Sequence, residues 1–83
     1  MEKELTFYYD KASDILYINL TDPNPAQETE ELGDDVIARL NPVTGEVENL
    51  EILFFSTRML RDDILRLPIS GNFHLMESHL SDG

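Results

Sequence analysis

Five carboxylates, Glu28, Glu30, Glu31, Asp34 and Asp35, fall within eight residues of one another. Oxygen-rich clusters of this kind are what Mg²⁺ and Ca²⁺ take as ligands. The alternating acids before a glycine that make a calcium loop are absent, and no histidine accompanies the cluster. The pattern therefore reads as a solvated acidic strip turned toward a partner rather than a metal site. Asp10 and Asp14 form a second carboxylate pair. Such a pair works as acid and base when one pKa is raised, but the hydrogen bonding of a tight turn already accounts for Asp10. His74 and His79, near Glu77 and Asp82, lie five apart, a spacing that shares neither a helix face nor a strand face. Ser70, His74 and Asp82 supply the residue types of a hydrolytic triad, which is defined by geometry and not by proximity in sequence. Tyr8, Tyr9 and Tyr17 with Phe7 have the rings for base stacking but no basic groove beside them. Packing in a core or interface is the better account. The chain has no cysteine, which removes thiolate catalysis, thiolate metal sites and disulfides. No catalytic, cofactor-binding or metal-ligating residue is assigned, and no enzymatic activity is expected.

Charge narrows the partners. Seventeen Asp and Glu stand against six Lys and Arg, for a net charge of −11. Nucleic-acid binding needs cations that displace counterions from phosphates, and anionic membranes repel the same surface. Direct contact with either is not expected. A basic protein partner is attracted, and opposite charge speeds encounter, although acidity also serves solubility alone. No apolar run approaches the roughly 20 residues needed to span a bilayer, and Met1-Glu2-Lys3-Glu4 lacks the apolar core of an export signal. The expected compartment is the cytoplasm. At 83 residues the chain fits a single domain with a modest core, and self-association is the expected extra source of stability.

The elements that position these residues follow from periodicity. Leu5-Thr6-Phe7-Tyr8-Tyr9 and Asp14–Leu20 read as strands joined by the turn Asp10-Lys11-Ala12-Ser13, a hairpin. Leu16, Ile18 and Leu20 share one face, with Ile15, Tyr17 and Asn19 on the other. Pro23 and Pro25 mark a loop. Gln27 to Leu32 suits a short edge strand, and Asp35–Leu40 a strong one. Asn41-Pro42-Val43-Thr44-Gly45 is a hairpin turn leading into Glu46–Phe54. At Ser56 the period changes. Ser56 or Thr57 is expected to cap a helix whose stripe is Leu60, Ile64 and Leu67, supported by Arg58–Asp62 and Asp62–Arg66 pairs and ended by Pro68. Leu65 lies off that stripe and is expected to be exposed. The prediction is an α+β domain over 1–68, an antiparallel meander of about four strands with one C-terminal helix covering one sheet face. Residues 69–83 form a tail. Ile15, Tyr17 and Ile37 make the other face too apolar for water, so a second copy, giving a homodimer, is its expected cover by face or by edge.

Tyr9-Asp10, then Asp14-x-Leu16-Tyr17-Ile18-x-Leu20, Thr29-Glu30-Glu31-Leu32, Asp35-Val36-Ile37, Gly45-Glu46-Val47 and Leu50-Glu51-Ile52-Leu53 together resemble a small bacterial and archaeal family, domain of unknown function 2283. The resemblance runs from Tyr9 to about Leu53, roughly two-thirds of the chain, and rests on order and spacing. It implies a β-rich fold with a C-terminal helix and no established enzyme activity. Some members of that family look like antitoxins encoded beside small ribonuclease-like toxins. It brings no site residues to transfer.

These readings converge on an acidic, antitoxin-like protein-binding module that neutralises a small basic partner. Its expected contacts are Glu28, Glu30, Glu31, Asp34 and Asp35, with Leu65 and Ile69 as apolar anchors. A self-associating structural domain is the alternative, and a metal-dependent hydrolase built on the acidic cluster is a remoter one.

Overall fold

Residues 4–76 are described by a computed structural model. Five strands form one antiparallel sheet: β1 (Thr6–Asp10), β2 (Ile15–Asn19), β3 (Glu28–Gly33), β4 (Val36–Leu40) and β5 (Val47–Leu53), followed by a seven-residue helix, α1 (Phe55–Arg61). The α+β class holds, and the strand count is five rather than four, because Glu28–Gly33 pairs along its length with β4. The order across the sheet is β1-β2-β5-β4-β3. A simple meander is therefore corrected. The β1–β2 hairpin and the β3–β4–β5 meander are two local units joined where β2 pairs with β5, from Ile15 opposite Leu53 to Asn19 opposite Asn49.

That order sends the chain from β2 past β5 and β4 to the far edge, and a buried asparagine secures the crossing. Asn49 is 2% exposed. Its amide nitrogen donates to Asn19 Oδ1 at 2.9 Å and to the Thr21 carbonyl at 2.7 Å. Its Oδ1 accepts from Gln27 Nε2 at 2.7 Å. Both ends of the proline-containing loop are thus tied to β5, and the buried amide is satisfied on both its polar atoms.

One sheet face carries the core: Ile18, Val36, Ala38, Leu50 and Ile52, cross-strand neighbours in the register. Strict alternation would turn Val47 to the opposite face from Leu50 and Ile52. The register shift beside Leu40, which now opposes Val47, lets Val47 pack on the core instead. The Glu48 carboxylate in this irregular stretch accepts from Gln27 Nε2 and Asn41 Nδ2.

The helix departs most from the sequence pattern. It has no side-chain cap of its own; Phe54 precedes it in the left-handed region at φ 52°. It ends at Arg61, with Asp62 extended. Asp62 Oδ1 accepts the Ile64 N–H at 3.1 Å, a local turn bond that competes with helix. Two aspartates at a helix C-terminus also meet the negative end of its dipole. The stripe consequently never forms: Leu60 is 88% and Ile64 54% exposed. Leu65, expected outside, packs on the core with Leu67 and Phe55, so the chain after the helix covers the sheet more than the helix does. Arg58 pairs not with Asp62 but with Asp34, at 3.1 Å and through the Asp34 carbonyl, and is 8% exposed. The Arg66–Asp62 pair is present at 3.5 Å, beyond the helix end.

Truncating the central core residue tests this arrangement. Ile52 is fully buried in the middle of the sheet. Ile52→Ala is expected to lower unfolding stability by about 2–5 kcal/mol with an unchanged urea m-value, read by equilibrium denaturation.

Candidate functional site

Three places bear on function: the turn at Asp14, the acidic edge, and a cleft beside the core.

Asp14 sits at the end of the β1–β2 turn with φ 58°, a conformation aspartate tolerates better than most residues. Its Oδ1 accepts the Tyr9 hydroxyl at 2.6 Å and the Ser56 N–H at 2.9 Å, and its Oδ2 accepts the Ser56 hydroxyl at 2.8 Å. Its carbonyl accepts the Phe55 N–H at 3.0 Å. The helix cap expected from Ser56 itself is thus supplied by an aspartate 42 residues earlier, and Ser56 acts as a donor. The Tyr9 hydrogen bond, then the two from Ser56, holds the Asp14 carboxyl below its ordinary value against a smaller desolvation effect. The same bond to Asp14, then burial, pushes the Tyr9 phenol up. A carboxyl shifted down is a poor general acid. Asp10 does what turn chemistry requires: its Oδ1 accepts the Ala12 N–H at 3.0 Å.

The acidic strip lies along the edge strand β3 and the following turn. Glu28, Glu30 and Glu31 are exposed, with Glu30 opposite Ala38 and Glu31 opposite Ile37, so the last two project to different faces. Asp34 is committed to Arg58, and the Asp35 carbonyl to the Leu53 N–H at 2.9 Å. The five carboxylates are spread along an edge rather than converging. Among the described residues, no group of three His, Asp or Glu side chains is placed to hold a metal ion. Three of the chain's six basic residues, Arg58, Arg61 and Arg66, gather with Asp34 and Asp62 around a hollow of about 340 Å³.

The third place was not read from the sequence. Residues 65–76 run without regular structure beside the core face of β1, β2 and β5 and leave an open cleft of about 1440 Å³. Its walls include Phe7, Leu20, Leu65, Leu67, Ile69 and Phe73. Phe7 is 62% and Phe73 83% exposed. Leu65 and Ile69, expected as apolar anchors, both line it, whereas the acidic strip is at the opposite edge of the sheet. Among the described residues, Glu4, Glu46 and His74 are its ionisable residues, and no Lys or Arg lines it. The signal for it was the apolar content of Ile69, Phe73, Leu75 and Met76 in a stretch that reads as a tail. Ser70 and His74 line the cleft; Glu77, His79 and Asp82 lie outside the described residues.

The family described as Protein of unknown function (DUF2283) matches residues 6–56. The chain belongs to that family. The family span opens on the first residue of β1 and closes on Ser56, so it contains the whole sheet and both ends of the Asp14–Ser56 connection. The three arginines of the hollow and the outer wall of the cleft fall after it. No curated protein and no solved structure matches the chain.

Protonation exposes the role of Asp14. A carboxyl whose folded pKa is depressed contributes stability above its unfolded value, about 3.9, and loses that contribution as pH falls through the folded value. Asp14→Asn keeps the left-handed backbone but not the charge. In thermal melts the variant should lie below the wild type at neutral pH, and the gap should close below about pH 4. A gap that stays constant with pH would show that the charge is not what anchors the helix.

Proposed function

We propose that the protein acts by binding rather than catalysis, as an antitoxin-like module that takes a small basic protein partner. The observation that carries this reading is the open cleft of about 1440 Å³ with an acidic border. It exceeds the roughly 300–1,000 Å³ of small-molecule pockets. Its walls offer large exposed apolar side chains, while Glu4 and Glu46 supply negative charge. Such a groove suits an amphipathic helix that lays its apolar face inward and its Lys and Arg along the border. The acidic edge at Glu28, Glu30 and Glu31 adds to a net charge of −11 that draws a cation from a distance. Asp14, Asp34 and Glu51 are engaged in holding the fold.

A labelled Leu/Lys peptide designed as an amphipathic helix is a suitable probe, with a scrambled peptide of equal charge as control. Fluorescence anisotropy should find the amphipathic peptide bound at least about tenfold more tightly, and Leu20→Asp should remove that preference. Glu30→Lys with Glu31→Lys should slow association at low salt while leaving the preference over the scrambled peptide intact. Equal affinity for the two peptides overturns the cleft reading, and an unchanged association rate in the charge-reversed variant removes the acidic edge from it.

A further inference from the structure

The two edges of the sheet differ in chemistry. A strand edge presents unpaired N–H and C=O groups and invites another strand unless it is charged, bulged or covered. β3 is charged and irregular: Glu28, Glu30 and Glu31 occupy it, and its register shifts between Glu31 and Gly33. β1, at the other edge, is regular and carries a single charge, Asp10, at the end next to the turn. Thr6, Phe7, Tyr8 and Tyr9 are uncharged, the register with β2 is regular, and Phe7 and Tyr8 are 62% and 58% exposed. Tyr8 stacks on Tyr17 of the neighbouring strand, with ring centroids 5.9 Å apart, so its ring stands ready on the outer face.

We propose that a second copy of this chain occupies the β1 edge, pairing antiparallel about a two-fold axis at Tyr8 and joining two five-stranded sheets into one of ten strands. The proposal goes beyond the binding reading above and does not depend on it.

The register follows from charge and parity. Paired residues share a face, so a symmetric pairing centres on one residue and its own copy. Centring on Phe7 would set Asp10 against Glu4 of the second copy, like charges directly opposed. Centring on Tyr9 would shift the pairing into the Lys11–Asp14 turn and leave Thr6 outside the strand pairing. Centring on Tyr8 uses the whole strand. Thr6 meets Asp10, Phe7 meets Tyr9, and Tyr8 meets Tyr8, while Glu4 and Asp10 of the second copy lie diagonal instead of directly opposed. The two Tyr8–Tyr17 stacks become one aromatic row across the junction.

Net charge opposes any self-association, but the acidic strands lie at the far ends of this assembly. β1 and β3 are separated by four strand spacings, about 19 Å at about 4.8 Å each, more than twice the Debye length of about 8 Å at physiological salt. Salt should therefore strengthen this dimer, the opposite of its effect on a basic partner.

Sedimentation equilibrium of the full chain at micromolar to millimolar concentration, at low and high salt, is the test. A dimer that tightens with salt is expected. Tyr8→Lys places two ammonium groups together at the axis and should raise the dissociation constant at least about tenfold. Because the chain lacks cysteine, single cysteines report the register cleanly. Tyr8→Cys should cross-link to itself under mild oxidation, since directly opposed Cα atoms at about 4.5–5.5 Å suit a disulfide. Phe7→Cys, facing Tyr9, and Glu30→Cys, on the other edge, should not. A monomer at every concentration, a Tyr8→Lys chain that dimerises like the wild type, or self-linking at Glu30→Cys in preference to Tyr8→Cys overturns the proposal.

Discussion

The side chain of Asp14 accepts hydrogen bonds from Tyr9 and twice from Ser56, while its carbonyl takes the Phe55 N–H. Those groups belong to β1, to the end of the β1–β2 turn and to the start of the helix. Much else depends on this connection. β5 leaves the sheet at Leu53, beside Ile15, and Phe54 turns the chain through a left-handed conformation. The Asp14 carboxylate gives that exit a direction by satisfying a helix N–H that no neighbouring side chain reaches. Phe55 is thereby brought against Tyr9, ring centroids 5.5 Å apart, and Arg58 against Asp34. The segment carrying Leu65 and Leu67 then returns to the core face.

A single sheet with so little helix has limited means to close its core. Among the described residues the buried apolar set is five side chains from three central strands, and the remaining contacts come from half-buried side chains at its margins. The opposite face is wetter but not bare: Arg39 reaches Glu51 at 2.7 Å and the Thr29 hydroxyl at 3.3 Å, bridging three strands beside the tyrosine pair. This ion pair is part-buried, Glu51 more deeply than Arg39. Its effect is to neutralise Glu51 within the sheet, which concentrates the chain's unbalanced negative charge on the β3 edge and the turns. The apolar surplus is left on the other side, at β1 and around the cleft. The acids of the β3 edge and the apolar surplus are thus separated by strand order.

The strands were legible because each alternates over several residues and is bounded by Asp, Gly or Pro. Val36–Leu40 and Val47–Leu53 fall within a residue or two of the pattern. The edge strand was legible in kind, its acidity marking it as exposed. The helix was not. Leu60, Ile64 and Leu67 have helical spacing, but Asp62 and Asp63 interrupt it, and a spacing argument gives no weight to an aspartate that prefers its own local turn. Arg58 was assigned a neighbour four residues away and found one 24 residues away. Of the candidate contacts, Glu28, Glu30 and Glu31 stand on an edge as their composition suggested, and Leu65 and Ile69 meet in a cleft that no local pattern describes.

By itself the sequence determined the family, the α+β class, the acidic charge, the hairpin turns and which residues of each strand share a face. These are local properties, set by the two-residue period of a strand and by the backbone preferences of Asp, Gly and Pro. Tertiary structure alone decided that β5 lies between β2 and β4, that Asn49 is buried to secure the crossing loop, and that Asp14 caps a helix 42 residues away. It also decided that the stretch after the helix leaves a cleft beside the core. Each of these depends on which distant segments become neighbours. Hydrogen-bonding groups and apolar surfaces choose among those arrangements only once the whole sheet has assembled.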